Sequence, residues 1–205
     1  MERGLLCLVL LAGPAPLALF AARSARSGTG EPAPALRMLI ALVVYLSLQA
    51  SVGVLLGALW LLGLPALVAA ELALAGAGAA LLGFASPSAE RERGRNTPSP
   101  AYDAATPLIA AAAAGSLAVL AGLVVTRPVT DYDSLLYHLP TMANWVQHGG
   151  LLPYEQFRLE QIGVYPYTWE VVCSIFFLPL RDDTLVTLPN LAAWAAFGLA
   201  SYRLG

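Results

Sequence analysis

Lysine is absent from this chain of 205 residues, and charge of either sign is scarce: 11 arginines, 13 acids and 2 histidines leave a net charge of −2. With 12% charged and 58% hydrophobic residues, against about 25% charged in an ordinary soluble domain, the composition points to an integral membrane protein. A nucleic-acid partner is excluded, because phosphate binding needs a concentrated basic surface and these arginines are scattered among loops. The two cysteines, Cys7 and Cys173, both lie in apolar runs and read as small buried hydrophobes rather than a disulfide or a metal pair. There is no Gly-rich phosphate loop after a strand, no nucleophile elbow and no metal-binding cysteine pair.

What the chain does have is a succession of long apolar runs. Gly4 to Ala22 suits a signal peptide or a first spanning helix. The flanks favour the helix, since Leu19 and Phe20 end the run where a cleavable signal wants small residues, and Arg23 and Arg26 come directly after. Pro14 and Pro16 predict a kink there. Ala35 to Gly63 and Pro65 to Phe84 are each long enough for the roughly 20 residues that cross a bilayer core, and are expected to form a helical hairpin. Pro107 to Thr126 is the next run; Tyr165 to Leu180 and Leu185 to Tyr202 are the last two. The first of that pair is short and leans on Tyr165, Tyr167 and Trp169 as interfacial anchors. Glu71 stands inside a spanning run, where an ionised side chain is costly, so it should face other helices or a wet cavity. It is a candidate intramembrane functional group; a protonated or hydrogen-bonded interhelical glutamate is the plainer reading.

Arginine-rich short loops stay on the cytoplasmic side. That rule places the loops at 23–37, at 85–106 and around Arg181 inside, and Arg127 to Tyr165 outside. The expected organisation is therefore N-terminal transmembrane helices over 1–126, an extracytoplasmic loop over 127–166 and two further transmembrane helices over 167–205. In total this is an all-α polytopic membrane protein of about six transmembrane helices.

The outer stretch VTDYDSLLYHLPTMANWVQHGG, Val129 to Gly150, is the polar, aromatic and acidic passage between the hydrocarbon runs. Over 133–148 the pattern is helical. Leu135, Leu136, Leu139, Met142, Ala143 and Val146 share a face that can lie on the bilayer surface, opposite Asp133, Tyr137, Thr141, Asn144 and His148. Gly149 and Gly150 should end this amphipathic interfacial helix, and Pro140 should kink it. Asp131 or Asp133 could simply cap the helix start. Capping does not account for the second carboxylate, with Tyr132, Tyr137 and His138 around it, and a carboxylate at a membrane face is what takes a proton from an attacking hydroxyl. His138 and His148, ten residues apart with no third ligand at compact spacing, do not make a metal site. Arg158 could hold a phosphate, or pair with Glu155 or Glu160.

TDYDSLLYHLPTMANWVQHGGLLPY, then YPYTWE with an apolar run, then LRDDTLVTLPNLAAWAAFGLASYRL, resembles the first outer loop and the next two helices of GT-C membrane glycosyltransferases, such as the protein O-mannosyltransferases and lipid A aminoarabinose transferases. The likeness covers Thr130 to Gly205. In that pattern an acidic pair opens the loop, a tyrosine stands four residues after its first member and a glycine closes the helix; Asp133, Tyr137 and Gly149 fall on those places. Ser134 stands where many members have the second acid, so Asp131 would serve as the partner.

The resemblance implies an inverting transferase on the outer face of the plasma (inner) membrane, with a polyprenyl-phosphate-linked sugar as donor and a glycan, lipid or protein hydroxyl as acceptor. Asp133 would be the general base, and Tyr137, His138 and Arg158 substrate-binding groups, Arg158 toward the phosphate. No cofactor is required and a divalent metal is left open. Family members continue through many more helices, so the chain is expected to be the N-terminal part of a truncated membrane domain, with a C-terminal partner chain. The rival readings are a non-catalytic membrane subunit or degenerate glycosyltransferase, and a small transporter centred on Glu71.

Overall fold

A computed structural model describes residues 7, 12–25, 34–84, 105–131, 133–151 and 168–204. Among them every regular element is helical: α1 (Ala15–Ser24), α2 (Pro34–Ala58), α3 (Leu64–Phe84), α4 (Ala105–Thr126), a π-helical turn (Ser134–His138), α5 (Leu139–His148), α6 (Thr168–Phe177) and α7 (Leu188–Leu204). Arg158, with residues 152–167 around it, and most of the polar loop before α4 lie outside the described residues.

Two helices are long and apolar enough to cross a membrane, α2 and α3. At 25 and 21 residues they extend about 37 and about 31 Å. Prolines mark their starts without breaking them. Pro34 opens α2 and Pro65 is the second residue of α3, positions whose missing N–H would have had no helical partner anyway. Shorter apolar stretches occupy Ala111–Val124 within α4 and Thr168–Phe177.

α2 is the axis of the bundle. α1 and α3 pack together and α1 packs on α2; α6 and α7 pack on α2 elsewhere, α4 rests on α7, and α5 rests on α6. The expected hairpin of α2 and α3 is loosely made, because α1 contacts each of them far more than they contact one another. The small residues of α3 explain this. Gly78 brings that helix against the backbone of Pro16 and Leu17, and two turns earlier Glu71 lies against Gly13. α1 is thus the end of a broken helix: Ala12 is helical, Gly13 and Pro14 form a turn, and the helix resumes at Ala15. The kink expected from the two prolines is present as this break.

The core lies at one end of α2, where Leu56, Leu62 and Leu67 meet Trp145 of α5 and Val171, Val172, Ile175 and Phe176 of α6. The corner between α2 and α3 is tied to the end of α5 by Leu62 N–H donating to the Gly149 carbonyl at 2.8 Å. Gly149 closes α5 at φ 73°, the ending that its sequence position predicts. The left-handed region that this position requires is open to glycine at little cost.

The segment before α5 departs from the simple helix. Its turn is π-helical, with Leu139 N–H donating to the Ser134 carbonyl. Pro140 accounts for the departure, because its ring collides with the carbonyl four residues earlier and widening the preceding turn relieves that collision. The extra residue rotates the helix beyond it. The buried face of α5 is Thr141, Met142 and Trp145, while Leu135 is 52% exposed. Thr141 therefore moves from the polar face expected of a surface-lying helix to a buried one, against α6.

The crossing expected of residues 165–180 is not confirmed by α6. Its described part has ten residues, about 15 Å, half of the roughly 30 Å hydrocarbon core, and the residues directly before it lie outside the described ones. Its start is tied to α7, where Trp169 Nε1 donates to Asn190 Oδ1 at 2.9 Å, and the turn after it is tied to the segment following α4, where Val129 N–H donates to Asp183 Oδ2 at 2.8 Å. The Arg181 loop, placed opposite Arg127 by its charge, lies beside the residues just after Arg127.

Candidate functional site

The polar stretch after α4 is held from two directions. Asp183 anchors its start through Val129, and Asp131 caps the helix beyond, its Oδ2 accepting from Ser134 N–H at 2.9 Å. That is the N-cap to third-residue geometry that satisfies an otherwise orphaned donor. Hydrogen bonding from the Ser134 side chain, the largest cause, holds the Asp131 carboxyl below its ordinary value. Of the two aspartates, the capping role suggested for either belongs to Asp131. Asp133 is already helical, makes no side-chain cap bond and is exposed.

His138 ends the π turn, with its ring centroid 4.1 Å from that of Tyr137. Its Nδ1 lies 2.7 Å from Oε1 of Glu170, on the first turn of α6. Glu170 is only 8% exposed, and its Oε2 accepts no hydrogen bond; Thr141 Oγ1, one turn beyond His138, is also buried without a partner. A carboxylate on Nδ1 keeps the proton on that nitrogen, which leaves Nε2 of a neutral imidazole with a lone pair able to accept a proton. Ser174 Oγ donates to the Glu170 carbonyl at 2.7 Å, fixing the turn from which the carboxylate projects.

The sites expected from sequence thus fall into three groups. Asp131, Asp133, Tyr137 and His138 share one short segment at one end of the bundle. Glu71 belongs to the α1–α3 seam, fully buried. Arg158 is outside the described residues. Glu170 and Asp183 join the first group from elsewhere in the chain, and neither was singled out from the sequence. For Glu170 a signal was available: it is an acid at the edge of an apolar run, the same oddity that drew attention to Glu71.

Among the described residues no group of three His, Cys, Asp or Glu side chains is placed to hold a metal ion. His148 is turned onto its own helix, with Nδ1 2.8 Å from the Asn144 carbonyl. Chemically, this end of the bundle offers an exposed carboxylate, an oriented imidazole and a half-shielded floor of Thr141 and Glu170. That is equipment for moving a proton to or from a hydroxyl.

Compared with family models, curated proteins and solved structures, the chain matches none of them. The class that the fold itself defines is an all-α protein with two helices able to cross a membrane.

Proposed function

We propose that this chain is a multi-pass plasma-membrane glycosyltransferase, or the N-terminal portion of one, acting at the end of the bundle where residues 127–151 and 168–190 gather. The membrane part of this reading is supported by the helix surfaces. Val43, Leu55, Leu72 and Val119 are all more than 45% exposed on long apolar helices, an arrangement suited to lipid rather than to water. Two hydroxyls on those helices are satisfied within their own helix, as lipid requires: Ser51 Oγ donates to the Ser47 carbonyl at 2.8 Å and Thr126 Oγ1 to that of Gly122 at 2.7 Å. In this reading α2, α3, α4 and α7 cross the bilayer while α6 enters and returns.

The observation that carries the enzymatic part is the contact of His138 with Tyr137 and with Glu170 of α6, five residues beyond the exposed Asp133 on the segment that resembles the GT-C outer loop. The donor is a polyprenyl-phosphate-linked sugar. Asp133 takes the proton of an acceptor hydroxyl as the oxygen bonds to the anomeric carbon. The bond from that carbon to the phosphate oxygen breaks, and the lipid phosphate leaves with the electron pair. Asp131, engaged as the helix cap, positions Asp133 rather than sharing its proton.

The 2.7 Å contact to Glu170 favours a second assignment within the same reaction, with His138 Nε2 as the base. Sugar transfer by the full chain in nanodiscs separates the two. Removing the true base lowers the rate about 100-fold or more. A loss of that size in Asp133→Asn with smaller loss in His138→Gln assigns Asp133, and the reverse assigns His138. Absence of transfer by the wild-type chain, or equal rates in all three, overturns the enzymatic reading.

A further inference from the structure

Glu71 carries the second inference, which rests on the membrane part of the proposed function and not on its sugar chemistry. The side chain has no accessible surface, and neither carboxylate oxygen accepts a hydrogen bond. A bare carboxylate held in hydrocarbon is several kcal/mol out of balance, so such a group is neutralised or is matched by a cation. Among the described residues no arginine supplies the match. α3 has no other ionisable residue, and α1 has none between Ala15 and Ala22.

What surrounds Glu71 is polar but neutral. Facing it from α2 is Gln49, fully buried, whose amide acts on the Glu71 carboxyl without closing a hydrogen bond of ordinary geometry. Gln49 Nε2 donates to Tyr45 Oη at 3.5 Å, one turn back along α2. On the other side the chain is broken. A Cβ on Gly13 would strike the Glu71 side chain, 2.8 Å from its Cβ, so only glycine lets the turn sit there. Pro16 has no N–H to give the Ala12 carbonyl, so the break also leaves a backbone acceptor without its helical donor. Broken helices that line a buried polar group are the form in which irregular backbone is tolerated at membrane depth.

A groove approaches this cluster as far as Tyr45. This groove, of about 470 Å³, runs between α1 and α2, walled by Ala15, Ala18, Leu19, Ala41 and Leu42. Arg23 and Arg37 line it at the end of α1 and the start of α2, and Tyr45 lines it deeper in. From its mouth the sequence of polar groups is therefore Tyr45, Gln49, Glu71.

We infer that Glu71 is an exchangeable proton-binding site within the membrane domain, reached from the Arg23 and Arg37 end of the α1–α2 groove by way of Tyr45. The proton enters from solvent at that mouth, binds one carboxylate oxygen and returns by the same path. A metal ion is a poorer fit, since the site offers a single carboxylate and no second acid among the described residues.

Infrared difference spectroscopy of the full chain in nanodiscs tests this, with insertion checked on the same samples by resistance to alkaline extraction. The expected result is a protonated-carboxyl stretch in the wild type that grows as pH falls. It should vanish in Glu71→Gln, shift in frequency in Glu71→Asp, and exchange with deuterium more slowly in Tyr45→Phe. Absence of the band at every pH in inserted wild-type protein overturns the inference, since the group is then ionised. A band that neither titrates nor exchanges overturns it as well, leaving a structural glutamate, and exchange unaltered in Tyr45→Phe overturns the route. Failure of the samples to resist extraction instead refutes the membrane reading itself.

Discussion

The contact between His138 and Glu170 yields a quantitative asymmetry. Their side chains are 34% and 11% exposed, with 2.7 Å between Nδ1 and Oε1. His138→Ala strands the Glu170 carboxylate, whose Oε2 already lacks a donor. Stranding a fully buried charge costs about 3–5 kcal/mol; water reaching the site the imidazole vacates reduces this to about 2 kcal/mol. Glu170→Gln is milder. The amide oxygen still accepts from Nδ1–H, and only the difference between a charged and a neutral hydrogen bond is lost, about 1 kcal/mol. The double variant leaves no buried charge, only a neutral amide at position 170, and should cost less than the sum of the two. Thermal unfolding in detergent, followed by tryptophan fluorescence, reads the effect. On the scale of domains this size, about 2 kcal/mol lowers the midpoint by about 4–8 °C. If His138→Ala is no more destabilising than Glu170→Gln, or if the two changes simply add, the contact is not an energetic pair and the argument for an oriented imidazole fails.

Three further outcomes rest on the same geometry. Asp131→Ala removes the acceptor for Ser134 N–H and should cost about 1 kcal/mol in the same unfolding assay, whereas Asp131→Asn, which keeps an acceptor, should cost less. Because the folded-state value of this carboxyl is depressed, its contribution is complete above the unfolded value of about 3.9 and is lost as pH falls through the lower folded value. Acid unfolding of Asp131→Ala should lack that component. Gly149→Ala forces a side chain to φ 73° and sets its Cβ 3.3 Å from the Trp60 carbonyl, for a loss of about 1–2 kcal/mol, with Gly149→Asn milder. Cysteines introduced at Thr130 and at Asp182 should react with an impermeant maleimide from the same side of the membrane; labelling from opposite sides would refute the placement of α6.

Much of the fold was legible in composition and periodicity. α2 and α3 were recognisable as unbroken apolar runs of spanning length, and the breaks at Gly13–Pro14 and Gly149 arose from residues whose backbone preferences are local. The misreadings have local and non-local causes. Pro140 was read as a kink, and a kink preserves helical phase; the π turn that accommodates it does not, so Thr141 changed faces. The α2–α3 hairpin expected of consecutive spans is loosely packed, because the small residues of α3 let α1 against it. In the candidate site, Asp133, Tyr137 and His138 were visible because they share one segment. Glu170 and Asp183 were not, because their partners lie 32 and 54 residues away.

The length of α6 bears on the site itself. Seven consecutive residues, Glu170 to Phe176, are buried, so the sequence of this element is as apolar as a true span and only its length distinguishes it. Had it crossed, Glu170 and Asp183 would lie at opposite faces, roughly 30 Å apart. Yet they bind His138 and Val129, which are nine residues apart on one segment and meet their partners at 2.7 and 2.8 Å. Both contacts are made with an α6 of only ten described residues. The short helix is therefore the condition for assembling this end of the bundle. Lengthening α6 by two turns would separate its two acids from the segment they hold, even if every residue now in contact were kept.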